Sequence, residues 1–158
     1  YAYPAEHLGA WSEELAVADG PDDLGPAPFG ENLSTLGAAE SDVLIGDQWA
    51  WGDAVLEVCQ PRWPCFKLAL YRRRADIQRR MRSNGMTGWY LRVLEPGEVD
   101  SSGPIRVLHR DPAGLSVHDA HRALGDRQLA EPELVRALAA HPALAAEWRD
   151  PLNQRLLR

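Results

Sequence analysis

Asp47-Gln48-Trp49-Ala50-Trp51-Gly52-Asp53-Ala54-Val55-Leu56-Glu57-Val58-Cys59-Gln60 decides the fold class. Two apolar, strand-forming runs flank Gly52-Asp53, which is the turn chemistry of a β-hairpin. In the second run the side chains alternate, so Val55, Glu57 and Cys59 share one face and Leu56 and Val58 the other. Pro61 and Pro64 end the strand, because proline cannot donate to a central ladder. The hairpin runs straight into Gln60-Pro61-Arg62-Trp63-Pro64-Cys65-Phe66-Lys67-Leu68, which sets a thiol between two prolines and a lysine. Lys67 is the only lysine; the other 16 of the 17 basic residues are arginine. Arg62 and Lys67 bracket Cys65, and nearby cations favour the thiolate, the form that acts as nucleophile or metal ligand.

Upstream of the hairpin, Pro4 fits the first turn of a helix running to about Val17. The Gly, Pro and Asp residues of 19–30 read as a loop, and Glu31 to Thr35 as a short strand. Downstream, residues 66–84 read as helix in two pieces. The second buries Ala75, Ile77 and Met81, turns Arg72, Arg73, Arg74, Arg79, Arg80 and Arg82 to water, and stops at Asn84-Gly85. Strands follow at Gly88–Leu94 and Ile105–His109, with a turn at Pro96-Gly97. The pattern changes after Pro112-Ala113-Gly114. Ser116 caps a helix over Val117–Leu124, and further helices follow at Pro132–Ala140 and Pro142–Arg158. Helices this short are marginal alone and must pack on each other or on the sheet. The expected organisation is mainly β with α: a β domain over residues 1–112 and a three-helix extension over 113–158.

The 158 residues are 45% hydrophobic and 25% charged with a net charge of -6, the make-up of an ordinary globular chain. Acidity argues against non-specific nucleic-acid binding, which depends on basic surface. No apolar run approaches the ~20 residues that span a bilayer. Cys59 and Cys65 in C-x5-C spacing make neither a disulfide framework nor a zinc motif, and a reducing, cytoplasmic setting is expected. The first residue is Tyr rather than Met, so removal of an N-terminal part is expected.

Taken alone, Cys65 reads as a core thiol, since free Cys is among the most buried residue types. A metal ligand and a persulfide carrier are the functional alternatives. Cys59 reads as strand packing, with a resolving thiol for Cys65 as the alternative. Glu31 and Asn32 after Phe29-Gly30 read equally as a loop-ordering pair or as site residues. Arg62 and Lys67 suit an anionic phosphate, against surface charge as the plainer reading. Trp63 suits stacking on a planar ring, while Trp89 and Tyr90 are expected to pack inside. His118 and His121 stand three apart on a helix without a third ligand at matching spacing. His7 reads as pocket-lining or as fixing the first helix. The arginine run reads as a solvated helix face rather than a nucleic-acid patch. A Schiff base between Lys67 and pyridoxal phosphate is not expected, because no Gly-rich phosphate loop accompanies it.

Four ordered motifs resemble the MOSC domain family, in its YiiM-like branch. They are Phe29-Gly30-Glu31-Asn32-Leu33-Ser34-Thr35, Ile45-Gly46-Asp47, the Gln60–Leu68 stretch, and Gly88-Trp89-Tyr90-Leu91-Arg92-Val93-Leu94. The helices of 116–158 match the branch's three-helix extension. The resemblance implies a β-barrel domain that binds molybdenum cofactor, with Cys65 as metal ligand. It also implies reduction of N-hydroxylated compounds such as hydroxylaminopurine base analogues. On that reading Cys65 and Glu31 are catalytic, Glu31 lying near the metal as ligand or proton donor, and Asn32, Arg62, Trp63 and Lys67 join Cys65 in holding the cofactor. Two departures stand out. The family carries further strands and a His-Gly-Gly segment before the point where this chain begins, so an incomplete barrel is expected. Asp100-Ser101-Ser102-Gly103-Pro104 is looser than the family's Ala-Gly-Asp turn.

The expected activity therefore needs a small N-hydroxylated substrate and a separate electron-donor protein, since the chain shows no flavin, haem or iron–sulfur motif. The alternative is a carrier that holds cofactor or persulfide sulfur on Cys65 without turnover. Neither a membrane nor a nucleic-acid polymer is an expected partner, and the sequence leaves the oligomeric state open.

Overall fold

The structure is a computed structural model that describes residues 1–15, 24–125 and 131–157. Along the chain the elements are β1 (Ala2–Pro4), α1 (His7–Glu14), β2 (Leu33–Thr35), β3 (Gln48–Trp51), β4 (Ala54–Pro61), α2 (Phe66–Arg72), α3 (Ile77–Asn84), β5 (Trp89–Glu95), β6 (Ile105–His109), α4 (Val117–Gly125), α5 (Pro132–Ala140) and α6 (Ala146–Leu156). The six strands form one mixed sheet in the order β2-β1-β5-β4-β3-β6. Among the described strands, only β1 and β2 run parallel. The sheet curls into a half-barrel whose outer strands are β2 and β6.

The expected hairpin is β3–β4, with Trp49 opposite Leu56 and Ala50 opposite Val55. Gly52 takes φ +55 at its turn, a conformation that costs a glycine little. On β4 the buried face holds Leu56 and Val58, as the alternation requires. The alternation then breaks. Val58 pairs with Leu91 but Gln60 pairs with Tyr90, so Cys59 is the extra residue of a bulge. The Cys59 carbonyl, released from the ladder, accepts a hydrogen bond from the Ala145 amide at 3.0 Å.

Two apolar clusters organise the interior. One joins Trp49, Leu56, Val58 and Trp89 of the sheet to Val117, Ala120, Val135, Leu138, Trp148 and Leu152 of α4, α5 and α6. The other packs Tyr3, Trp11 and Phe29 against Leu68, Ile77 and Met81 of α2 and α3. A fully buried carboxylate, Asp47, ties the loop before β3 to the loop after β6. It accepts from the Leu44 amide at 3.0 Å, the Arg110 guanidinium at 2.9 Å and the Asp111 amide at 3.0 Å. Asp111 in turn meets His141 Nε2 at 3.2 Å. No helix among the described residues is long and apolar enough to cross a membrane.

Several expectations need correction. Residues 2–4 are a strand rather than the start of a helix, and α1 ends at Glu14; the expected continuation to Val17 and the start of the 19–30 loop fall outside the described residues. Three residues are too few to show a period, and Pro4 sits where its missing N–H does no harm. Ala75 is exposed, because the chain turns between α2 and α3 at that point. Tyr90 is 39% exposed rather than packed inside, on the side of β5 opposite the buried Trp89. The last helix begins at Ala146, after a turn closed by Leu144 N–H to His141 O.

Candidate functional site

Cys65 lies where the bulged β4 hands over to α2. It has extended backbone (φ -108, ψ 171) at the N-cap of α2. Both cysteines are free; Cys59 is buried and Cys65 is exposed. The core-thiol reading of Cys65 is therefore incorrect, because the prolines lift this loop off the sheet before the helix begins. Lys67 is exposed one residue beyond Phe66.

The loop before Cys65 is held from the other side by the helices. The Arg82 guanidinium donates to the Pro64 carbonyl at 3.2 Å and lies 4.9 Å from the centre of the Trp63 ring. The Trp63 ring also meets His121 and Trp148, each at 5.8 Å between centroids. A cleft of about 700 Å³ opens beside it, lined by Cys59, Tyr90, Arg92, Glu147 and Trp148 among others. Trp63 thus joins the Cys65 loop to α3, α4 and α6.

Arg62 points the other way and is 8% exposed. The surface-charge reading fails here. Its guanidinium stands 4.6 Å over the Tyr1 ring and donates to the Tyr1 hydroxyl at 3.3 Å. Burial pushes the Tyr1 phenol well above its ordinary range, with Arg62 opposing. Asn32 joins the same group, its backbone N–H donating to the Tyr1 carbonyl at 2.9 Å and its side-chain Oδ1 accepting from the Tyr1 amino group at 3.0 Å. Glu31 is buried beside it and accepts from the Phe29 amide at 2.9 Å and the Ser34 hydroxyl at 3.3 Å. The structure therefore gathers Glu31, Asn32 and Arg62 around Tyr1, and sends Trp63 to the helices. Among the described residues no hydrogen bond joins either set to the Cys65 thiol.

Cys59 donates its S–H to the Tyr90 carbonyl at 3.4 Å, and burial pushes its thiol pKa up against the pull of Arg92. That is a packed, protonated thiol. The sequence reading missed Glu40, a buried carboxylate that accepts from the Gly88 amide at 2.7 Å and faces His7 Nε2 at 2.7 Å. Its partners lie far away along the chain, so no local spacing announces it. His121 and Arg82 were also missed as supports of the Trp63 loop. Burial lowers the His121 pKa, the Arg82 carbonyl at 2.9 Å opposing.

A curled mixed sheet, extended by helices and carrying one accessible cysteine in a Pro-flanked loop, is a β-domain with a thiol site at a strand-to-helix junction. The family model described as MOSC domain matches residues 1–106, and the chain belongs to that family. It is 35% identical to protein YiiM of Escherichia coli (strain K12) over 98% of this chain and 67% of that protein. It is 36% identical to YflK of Bacillus subtilis (strain 168) over 93% of this chain and 64% of that protein. The chain thus spans about two thirds of the length of these relatives. A protein named "Reductase" from Gibberella moniliformis is 34% identical over 82% of this chain and 23% of that protein. Among solved structures, YiiM from Geobacillus stearothermophilus superposes with a TM-score of 0.89 at 33% identity, covering 98% of this chain and 76% of that one.

Proposed function

We propose that the chain carries the molybdenum-cofactor site of a reductase acting on N-hydroxylated compounds, with hydroxylaminopurine-type bases as the substrate class. The observation that carries this reading is the exposed, unbridged Cys65 at the start of α2 in a MOSC family chain. A single accessible thiol suits a metal that arrives with its remaining ligands on an organic carrier, and soft sulfur suits a redox metal better than oxygen does. The reductase name of one relative supports the direction of the chemistry.

The reaction is R–NH–OH + 2 e⁻ + 2 H⁺ → R–NH₂ + H₂O. When bound, the cofactor would supply the electron pair that breaks the N–O bond. Cys65 would hold the metal through its thiolate. Lys67, the second residue of α2, would meet the cofactor's phosphate, with Arg62 and Asn32 shaping the wall behind it and Trp63 offering a ring face. Glu31 is the carboxyl we assign to protonating the departing hydroxyl. Two electrons must reach the site from a separate donor protein.

The test is molybdenum content by elemental mass spectrometry on the protein and its Cys65→Ser variant, both made in a cofactor-competent host. The expected result is near-stoichiometric metal in the parent and loss in the variant. Equal metal in both would remove Cys65 as the ligand. A metal-free parent bearing cyanide-labile sulfur would favour the carrier role.

A further inference from the structure

The two-electron reaction just proposed needs a donor, and the face beside Cys65 combines exposed apolar side chains with a local excess of cations. On α2, Leu68 turns inward and is 2% exposed, while Phe66, Leu70 and Tyr71 are 65%, 69% and 59% exposed. Phe66 and Leu70 are four residues apart and so share one helix face, and Lys67 lies four residues before Tyr71 on the adjoining one. Exposed apolar residues scattered singly are ordinary, but three on one short helix, starting at the residue after the site cysteine, form a patch.

Charge is divided just as unevenly. Eight of the 17 Lys and Arg residues fall between positions 62 and 82, against one of the 23 Asp and Glu residues, in a chain whose net charge is -6. The single carboxylate, Asp76, is spent on Arg74 and Arg80. Arg80 also meets Glu14, Arg72 donates to the Leu24 carbonyl, and Arg62 is buried. Lys67 and Arg73 are exposed at the two ends of α2, Arg73 with φ +51 at its C-cap. An apolar centre of aromatic and aliphatic side chains rimmed by cations is the anatomy of a protein interface, in which the rim steers an oppositely charged partner.

Resting on the reductase reading of Cys65, we infer that the exposed face of α2 is the docking surface for an acidic electron-transfer protein. Phe66, Leu70 and Tyr71 supply the apolar contact, and Arg73 meets a carboxylate on the partner. Docking there places the donor's redox group against the helix that begins at Cys65. Each complete reduction draws two electrons through this face, in two one-electron visits or one two-electron visit, and the two protons come from solvent through the site carboxyl. A nucleic acid suits the patch less well, because the net charge of the whole chain opposes a long polyanion. Seven residues of helix are a short anchor for a lipid surface.

The experiment measures binding directly. The chain is titrated by calorimetry with a flavodoxin and with a plant-type [2Fe–2S] ferredoxin, two acidic donors, at low and high salt. Arg73→Glu and Leu70→Ser are compared with the parent, and Arg106→Glu on β6 serves as the control. The expected result is saturable binding of at least one donor that weakens about tenfold in high salt, and about tenfold in each α2 variant, with the control unchanged. The idea falls if neither donor binds, if the α2 variants bind as the parent does, or if single-stranded DNA or anionic vesicles bind this face in place of both donors. Binding that maps to α2 in a protein that never reduces an N-hydroxylated base would leave the surface standing and remove the proposed reaction.

Discussion

At Gly88 the backbone has φ +65, the amide donates to the buried Glu40, and an added Cβ would collide with the Ala2 carbonyl oxygen. β1 can lie against the start of β5 only because this position lacks a side chain. Gly88→Ala should therefore cost about 3 kcal/mol, from the strained conformation and the displaced strand together, read as a lower urea midpoint at unchanged slope. His121 gives a pH signature. Burial lowers its pKa below the ordinary 6.5, with the Arg82 carbonyl and Glu40 opposing and His118 assisting. The unfolded chain then binds more protons than the fold, so the stability tied to neutral His121 is present above about pH 6.5 and lost as the pH falls. Urea midpoints should drop on acidification, and His121→Gln should flatten that drop; an equally steep drop in the variant would count against the assignment. The loop setting of Cys65 was legible from its flanking prolines. The burial of Arg62 was not, because its partner is the Tyr1 ring, brought in by a strand with no local signature.

Among the elements, the β3–β4 hairpin was readable because its turn and its alternation agree. The bulge at Cys59 was not, since one extra residue in a ladder depends on the partner strand and leaves no mark in the β4 sequence itself. The three late helices were recognised from the sequence, but their grip on the site loop depends on Trp148, which is 2% exposed and meets Trp63 edge-on. Removing that ring takes a wall from the Trp63 loop as well as volume from the core. Trp148→Ala should lose about 3–5 kcal/mol, and the folded variant should alkylate at Cys65 faster than the parent. Trp148→Phe should restore most of both. Unchanged alkylation in the alanine variant would mean that the helices do not hold the loop.

At the scale of the whole molecule, the sheet and the helices share one interior, in which Trp49 and Trp89 cross at 5.8 Å between the strands and the helical layer. The charge asymmetry belongs to this scale too. The basic residues crowd the α2–α3 side, and acidic residues dominate elsewhere, so association with charged partners is directional rather than general.

The place of β1 in the sheet has a consequence for synthesis. β1 is flanked by β2 on one side and by β5 on the other, and its partner on β5 is Trp89. A ribosome releases β1 long before β5 exists. At roughly 5–20 residues per second, β1 waits several seconds or more for β5. Among the described strands the one made before β5 that pairs with β1 is β2, in a parallel pairing of three residues, the weaker kind of ladder. The middle of this sheet is therefore completed late, and the nascent chain has most need of a chaperone while residues 36–88 are being made.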